Sequence, residues 1–456
     1  NYQALARTEF DAFEFEARVR YLPDEQYLPV LLDIIRNANQ NILMLMYTFP
    51  APETAEELQA ELVRELQRAA QRGVYVYIGL YTPTGGKDRL GVMHSDWAER
   101  LRAAGIDVRL SVPSVSQHDK LVVADMRRVL IGSHNWTEGA LSGKRVFESS
   151  VLLDLVRPDV RWADYVLGRQ VISDMRTRTN WEAEIDTIQR LQVLPSAARQ
   201  ELISALGTNT ALFPPVSTWE DEREAFLLAD GDKILLRDGQ MLFGQLMLEQ
   251  PARYQWRTAD GQISWTDKKS VKLLWRNNGE FGAQASPSAA GSAALTQGTF
   301  LPQSCFGPDL VAGIKKAQKS IHIATYNLAE GLTGPLAEFY EVLREKVKEG
   351  VEVVLITEFG PGTSAYIKRE VLNFASTLEP AGIQVRFMQD YKVMHKKLVV
   401  VDDETVWLGS ANLTTAGLSI SNEANVRLQD PVVANQVEAD FQRLLQLAKP
   451  MSELKY

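Results

Sequence analysis

The stretches HDKLVVAD (residues 118–125) and HKKLVVVD (residues 395–402) repeat one pattern, 277 residues apart. Each contains a histidine, a lysine two positions later, and an aspartate that closes an apolar run. Fourteen residues after each histidine the pattern continues, as GSHN (residues 132–135) in the first copy and GSAN (residues 409–412) in the second. Because side chains at positions i and i+2 of a strand point the same way, each histidine shares a face with its lysine.

The repeat extends outward from these stretches. Gly73 lies the same 277 residues before Gly350, and each stands between an amphipathic stretch and an apolar strand. So constant an offset indicates an internal duplication. Strands that alternate with helices at this spacing are typical of βαβ units, which favours an α/β fold with a largely parallel sheet in each half. We therefore predict two duplicated α/β domains, residues 1–176 and 299–456, related by a pseudo-twofold axis with both histidines facing one cleft.

The segment between the halves, residues 177–282, does not repeat. Its first part is predicted to be mainly helical. From Phe226 to Arg276, short apolar strands are separated by Asp-Gly dipeptides, which favour tight hairpin turns. This pattern predicts a small antiparallel β module that shapes or gates access to the cleft. Its tryptophans fit core packing better than stacking on bases: Trp256, Trp265 and Trp275. Residues 283–298, rich in Ala, Ser, Pro and Gly, are predicted to be a flexible linker.

The doubled pattern supplies what phosphodiester cleavage requires. The reaction needs a nucleophile, an acid for the leaving oxygen, and positive charge around the other phosphoryl oxygens. Two histidines and two lysines provide all three with no metal or other cofactor. One imidazole attacks phosphorus and forms phosphohistidine, and the other protonates the leaving group. A glutamate about 30 residues after each histidine can fix the imidazole tautomer. The predicted catalytic residues are His118, Lys120, Glu148, His395, Lys397 and Glu423. The predicted phosphate ligands are Ser133, Asn135, Ser410 and Asn412.

Other polar residues fit structural roles. Asp125 and Asp402 each follow an apolar strand, where a turn role is favoured over catalysis. The remaining histidines have no counterpart in the other half, and structural roles suit them better: His94, His134 and His322.

The composition excludes several classes of protein. The chain has 456 residues, 45% of them hydrophobic, and a net charge of −9, which argues against a dedicated duplex-DNA binder with a broad basic face. Cys305 is the one cysteine, so neither a disulfide framework nor a cysteine metal cluster is expected. The apolar runs are too short for an integral membrane segment. Asn1 is not an initiator methionine, so a signal removed from a secreted or periplasmic protein is compatible with the sequence. The active unit is expected to be a monomer.

The His-X-Lys-X4-Asp and Gly-Ser-X-Asn patterns resemble the signature of the phospholipase D superfamily. The resemblance covers roughly residues 18–171 and 300–445. It implies two similar α/β halves around one active site, no metal cofactor and a phosphohistidine intermediate. The family's Asn-Glu ending appears as Asn422-Glu423, whereas the first half has Val146-Phe147-Glu148. The resemblance points to His118 as the nucleophile and His395 as the acid/base, while the residues alone leave the two roles interchangeable.

The substrate is predicted from the residues around each Gly-Ser. The runs SHNWT (residues 133–137) and SANLT (residues 410–414) resemble nuclease-type members more than cardiolipin synthases. Hydrolysis of phosphodiester bonds in nucleic acid is therefore our first expectation. The alternative is a phospholipase D or phosphatidyltransferase that acts on phospholipid head groups, and a minor alternative is an inactive binding module.

Overall fold

The computed structural model describes residues 10–54, 57–82, 89–111, 116–177, 232–236, 241–250, 252–258, 262–275, 295–329, 333–389 and 392–454. In the first half, strands and helices alternate as the apolar periodicity predicts. Its strands are β1 (Phe13–Pro23), β2 (Asn41–Met46), β3 (Tyr75–Tyr81), β4 (Asp107–Ser111), β5 (Lys120–Ala124), β6 (Arg128–Gly132), β7 (Val146–Phe147) and β8 (Ser149–Leu155). Its helices are α1 (Tyr27–Asn37), α2 (Leu58–Gln71), α3 (Arg89–Ala103), α4 (Glu138–Leu141) and α5 (Val160–Thr177).

The middle segment contributes a separate antiparallel sheet, which has the strand order β12-β11-β10-β9-β13. Its strands are β9 (Asp232–Leu236), β10 (Met241–Glu249), β11 (Arg253–Thr258), β12 (Ile263–Asp267) and β13 (Val271–Trp275). Trp256 is fully buried, as predicted. The prediction is wrong for Trp265, which is 40% exposed because it lies on the exposed side of β12, where the guanidinium of Arg253 lies 4.0 Å from its ring. The side chain of Trp275 and nearly all of the predicted helical part lie outside the described residues.

The second half repeats the first. Its strands are β14 (Thr296–Pro302), β15 (Ser320–Thr325), β16 (Glu352–Glu358), β17 (Gln384–Met388), β18 (Val393–Met394), β19 (Lys397–Val401), β20 (Thr405–Gly409) and β21 (Ala424–Gln429). Its helices are α6 (Gln303–Ile314), α7 (Gly334–Lys348), α8 (Ala365–Leu378), α9 (Thr415–Ser419) and α10 (Pro431–Leu447). Strand β14 begins inside the predicted linker 283–298, most of which lies outside the described residues.

Both halves join in one sheet of 14 strands, ordered β17-β16-β15-β19-β20-β21-β14-β1-β8-β6-β5-β2-β3-β4. The order reads the same from either edge when each strand is replaced by its repeat. The antiparallel pair β1–β14, with Phe13 opposite Phe300, forms the centre. The predicted duplicated α/β fold is therefore confirmed.

The prediction of a largely parallel sheet in each half is wrong. Among the described strands of the 14-stranded sheet, the sets β2-β3-β4 and β15-β16-β17 alone run parallel. In each set a helix lies between one strand and the next along the chain, as a parallel connection requires. The chain between β5 and β6, and between β19 and β20, is too short for a crossover, so these strands form antiparallel hairpins.

Both hairpin turns depend on the predicted structural aspartates. Asp125 and Asp402 have positive φ of 52° and 56°. The carboxylate of Asp125 accepts hydrogen bonds from the backbone N–H groups of residues 39–41 at 2.8–3.2 Å. That of Asp402 accepts from residues 318–320 at 2.7–2.9 Å. Each aspartate thus ties its hairpin to the start of β2 or β15, which confirms the structural role.

The sheet is covered on both faces, which explains why β2 and β5 are wholly buried and apolar after their first residue. One face of each half packs its own helices, α1 to α3 in the first half and α6 to α8 in the second. The opposite face forms one cluster that draws residues from both halves, with α5 and α10 packed against it. This shared core fixes one half against the other. Among the described helices, none is long and apolar enough to cross a membrane.

Candidate active site

The two His-X-Lys motifs lie at the start of β5 and β19, and each is joined to the opposite half through its backbone. The N–H of His118 donates to the carbonyl of Asn422 at 2.8 Å, and that of His395 donates to Phe147 at 2.9 Å. The short strands β7 and β18 pair in parallel at the same place. The motifs therefore meet at the interface between the halves.

Each imidazole pairs with the glutamate of the other half. Nδ1 of His118 lies 3.0 Å from both carboxylate oxygens of Glu423, and Nδ1 of His395 lies 2.9 Å from both oxygens of Glu148. The sequence analysis matched each histidine with the glutamate that follows it in the same half, and this is wrong. The backbone of His118 bonds to Asn422, which brings the adjacent Glu423 to His118. A proton on Nδ1 leaves the Nε2 lone pair of each ring free.

The lysines lie beside the histidines, as the strand geometry predicts. Lys120 Nζ donates to the carbonyl of His118 at 2.7 Å, and Lys397 Nζ donates to that of His395 at 2.6 Å. Both lysines are buried, whereas the histidine side chains keep 14% of their surface exposed. The imidazoles are thus the part of the site that an entering group meets first.

The serines of the two Gly-Ser motifs lie behind the glutamates. Ser133 and Ser410 are fully buried, and their hydroxyls donate to the carboxylates of Glu148 and Glu423. The preceding glycine makes this approach possible. A Cβ on Gly132 would lie 2.3 Å from the carbonyl oxygen of Ser149. The structure therefore places both serine hydroxyls against the carboxylates, and their binding of phosphate stays a prediction.

The asparagines of the same motifs lie nearer to the surface. Asn135 and Asn412 are half-buried at corresponding positions of the two halves. In each, Oδ1 is buried without a hydrogen-bond partner in the described part of the chain. These amides are the remaining candidates for neutral phosphate ligands.

Two tyrosines complete the site, and the sequence analysis missed them as site residues. The Tyr47 ring packs edge-on against His118 with centroids 4.6 Å apart, and Tyr326 packs against His395 at 4.9 Å. The ammonium groups of Lys120 and Lys397 lie 5.0 and 5.4 Å from the same tyrosine rings. Each tyrosine directly follows an equivalent strand, β2 or β15, so the duplication could have identified the pair from the sequence. Each tyrosine restricts the orientation of its imidazole.

Burial is the main cause of the pKa shifts in the site. Burial lowers the pKa of Lys120 to about 8, and burial with the neighbouring Lys120 lowers that of Lys397 to about 7. Burial also lowers the pKa of both catalytic histidines, that of His395 farther. An anionic phosphodiester would stabilise the protonated form of both lysines and so raise their pKa.

The two glutamates differ in charge state. Burial raises the pKa of Glu148 to about 7. The pKa of Glu423 is lowered: burial opposes ionisation there, but His118, Lys120 and the Ser410 hydroxyl together outweigh it. The His118 side therefore has a fixed negative charge, while the His395–Glu148 pair can hold a proton up to about neutral pH.

The other histidines lie outside the site, as predicted. His94 bonds to the backbone of Tyr81 and Phe49. His134 is fully buried and contacts Ser150 Oγ and the carbonyl of Asp24. His322 pairs with Glu438. Among the described residues, no group of three or more His, Cys, Asp or Glu side chains could hold a metal ion.

One His, Lys and Glu from each half thus meet around a shared site in a duplicated α/β fold. A family model described as "Cardiolipin synthase, PLD-like domain" matches residues 31–156 and 310–445, more than half of the chain. The chain belongs to the phospholipase D superfamily.

Individual relatives match over shorter stretches. A cardiolipin synthase of Oceanobacillus iheyensis is 36% identical over 121 residues, 25% of this chain and 24% of that protein. The major cardiolipin synthase ClsA of Bacillus subtilis is 26% identical over 143 residues, 31% of this chain and 28% of that protein. The chain thus spans less than a third of the length of these curated relatives. The crystal structure of a phosphatidylserine synthase of Haemophilus influenzae covers 97% of this chain and 91% of that chain, with 14% identity and a TM-score of 0.57, which shows a shared fold.

Proposed function

We propose that this protein transfers phosphatidyl groups between phospholipid head-group alcohols through a phosphohistidine on His118. The observation that carries the chemistry is the crossed pairing of His118 with Glu423 and of His395 with Glu148. It presents two imidazoles with free Nε2 atoms, backed by carboxylates, beside two buried lysines. This set supports nucleophilic and acid/base catalysis on one phosphodiester.

In the first step, Nε2 of His118 attacks phosphorus, and the bond from phosphorus to the leaving head-group oxygen breaks. The ring gains positive charge, which the ionised Glu423 stabilises. The ammonium groups of Lys120 and Lys397 bind the non-bridging oxygens, together with the amides of Asn135 and Asn412. The leaving oxygen takes the Nε2 proton that the His395 ring carries when the His395–Glu148 pair holds its additional proton.

In the second step, a hydroxyl enters where the head group left. It gives its proton to His395 and attacks phosphorus, which breaks the bond to His118 Nε2. The His395–Glu148 pair suits this exchange, because a shared proton with a pKa of about 7 on Glu148 can be released and recovered near neutral pH. With an alcohol as acceptor the outcome is transfer, and with water it is hydrolysis.

The burial of His134 and Trp136 weakens the argument for a nucleic-acid substrate. The resemblance to nuclease-type members rested on the runs SHNWT (residues 133–137) and SANLT (residues 410–414), and His134 and Trp136 belong to the first run. Both are fully buried, His134 stacked on Tyr27 and Trp136 donating to the Tyr27 hydroxyl. Neither faces a substrate, so their identity carries no information about it. The named relatives, by contrast, are cardiolipin synthases.

The proposal is tested with vesicles of phosphatidylglycerol in excess EDTA, with products resolved by mass spectrometry. We expect cardiolipin and glycerol from transfer, accompanied by phosphatidic acid from hydrolysis, and neither product with His118→Ala. Parallel reactions contain phosphatidylcholine vesicles, single-stranded DNA or RNA. Consumption of nucleic acid alone would restore the nuclease prediction and contradict the lipid substrate.

A further inference from the structure

The middle residue of each His-X-Lys motif takes no part in the mechanism above, yet it is among the most buried charged groups in the described chain. Lys396 and Asp119 are both 0% exposed. A buried charge is costly unless it is paired and hydrogen-bonded, so its partners indicate its role.

Two of the three partners of Lys396 bear on Glu148: its own backbone carbonyl, and Asp24. Lys396 Nζ donates to the backbone carbonyl of Glu148 at 2.6 Å and to Asp440 Oδ2 at 2.7 Å, and it lies 3.3 Å from Asp24 Oδ1. The same Asp24 oxygen accepts the Glu148 N–H at 2.8 Å, and the Asp24 N–H donates to the Glu148 carbonyl at 3.0 Å. Both backbone polar groups of Glu148 are therefore held by this pair.

The conformation of Asp24 indicates that the arrangement is imposed. Its φ of +49° is unfavourable for a residue with a side chain. Arg443 and Lys392 also contact its carboxylate, at 2.8 and 3.5 Å. Charged side chains of the second half thus fix the carboxylate of Asp24, and Asp24 in turn binds the backbone of Glu148.

In the other motif, Asp119 reaches Glu423 through a tyrosine. The hydroxyl of Tyr165 lies 2.5 Å from Asp119 Oδ1 and 3.1 Å from the carbonyl of Glu423. Arg169 donates to the same hydroxyl at 3.2 Å and to Asn422 Oδ1 at 3.1 Å. The hydroxyl donates to Asp119 and also lies within hydrogen-bond distance of the Glu423 carbonyl, so Asp119 fixes the position from which Tyr165 contacts the Glu423 backbone.

We propose that Lys396 and Asp119 are positioning residues: each holds the backbone of the glutamate that the opposite half supplies to the neighbouring histidine. Lys396 acts directly on Glu148, the partner of His395. Asp119 acts through Tyr165 on Glu423, the partner of His118. The middle residue of each motif therefore links its own half to the glutamate of the other half. This inference rests on the His–Glu pairs of the proposed mechanism and is independent of the lipid substrate.

The test is proton NMR of the Nδ1–H resonances of the two histidines in the full-length protein, which needs no turnover. We expect Lys396→Met to shift or broaden the His395 signal and to leave that of His118 in place. Tyr165→Phe should shift or broaden the His118 signal and leave that of His395 in place. It is a milder change and tests the proposal even if Lys396→Met does not fold. Lys346→Met is the matched control, because Lys346 is another buried lysine that donates to a carbonyl, that of Ala317, far from the site.

Kinetics on bis-p-nitrophenyl phosphate give a second readout. Lys396→Met should lower kcat roughly tenfold to a hundredfold with little change in KM, as expected for a small misplacement of a catalytic group. Combined with Glu148→Gln it should add nothing to the loss from Glu148→Gln alone. The proposal would be overturned if the losses in kcat from Lys396→Met and Glu148→Gln were additive. It would also be overturned if Lys396→Met changed both histidine signals equally, or if Lys346→Met had the same effect. An inactive wild type with the expected NMR pattern would refute the proposed function and leave the positioning role intact.

Discussion

Replacing Glu423 by glutamine removes the negative charge behind the proposed nucleophile. The carboxylate oxygens lie 3.0 Å from Nδ1 of His118, so the charge centres are about 4 Å apart once the ring becomes cationic. With an effective dielectric constant of about 20, their attraction is about 4 kcal/mol. Loss of that attraction as phosphohistidine forms corresponds to roughly a thousandfold slower attack. A glutamine can also donate to Nδ1, which would favour the unproductive tautomer.

The assay is a rapid-quench measurement of the first turnover on bis-p-nitrophenyl phosphate, with Glu148→Gln as the mirror variant. We expect Glu423→Gln to suppress the burst of p-nitrophenolate. Glu148→Gln should retain the burst, because this leaving group barely needs protonation, and should slow the steady state. Thermal unfolding of both variants checks that the fold survives. A normal burst in Glu423→Gln with a slow steady state would contradict the pairing of Glu423 with a nucleophilic His118.

Further experiments address the roles of the histidines, the pH dependence, the metal requirement and the hairpin turn. Mass spectrometry of quenched protein should find a phosphohistidine adduct in His395→Ala and none in His118→Ala; an adduct mapped to His395 in the latter would reverse the assignment. The proton shared by His395 and Glu148 is lost as pH rises through about 7, the pKa of Glu148, so kcat/KM should decline above that pH. A profile that is flat to pH 9 would exclude this pair as the acid. Hydrolysis of bis-p-nitrophenyl phosphate should persist in excess EDTA, and complete loss restored by a divalent ion would contradict the mechanism. Asp125→Ala should lower the free energy of unfolding by about 2–3 kcal/mol, as buried hydrogen-bond acceptance is lost and alanine must adopt positive φ; chemical denaturation measures this, and a change below about 0.5 kcal/mol would argue against the turn role.

The comparison of sequence and structure is clearest in the sheet. The constant offset between Gly73 and Gly350 correctly indicated two equivalent halves, because helix and strand periodicity are local properties of a chain. The directions of strands such as β5 and β6 were predicted less well. Their antiparallel hairpin depends on Asp125 binding backbone N–H groups some 85 residues earlier, a contact that no periodicity shows.

The sequence by itself determined which groups are candidates for the chemistry, because the spacing within a strand fixes which face each His and Lys shares. It also determined that there are two such sets. Only the tertiary structure decided how the sets combine: that Glu423 serves His118 across 305 positions, that Ser133 supports a carboxylate, and that Lys396 holds the backbone of Glu148. These contacts join residues from different segments, two of them from opposite halves. Their geometry depends on the pairing of β1 with β14 and on the core that both halves share. Neither can be read from the spacing of residues along the chain.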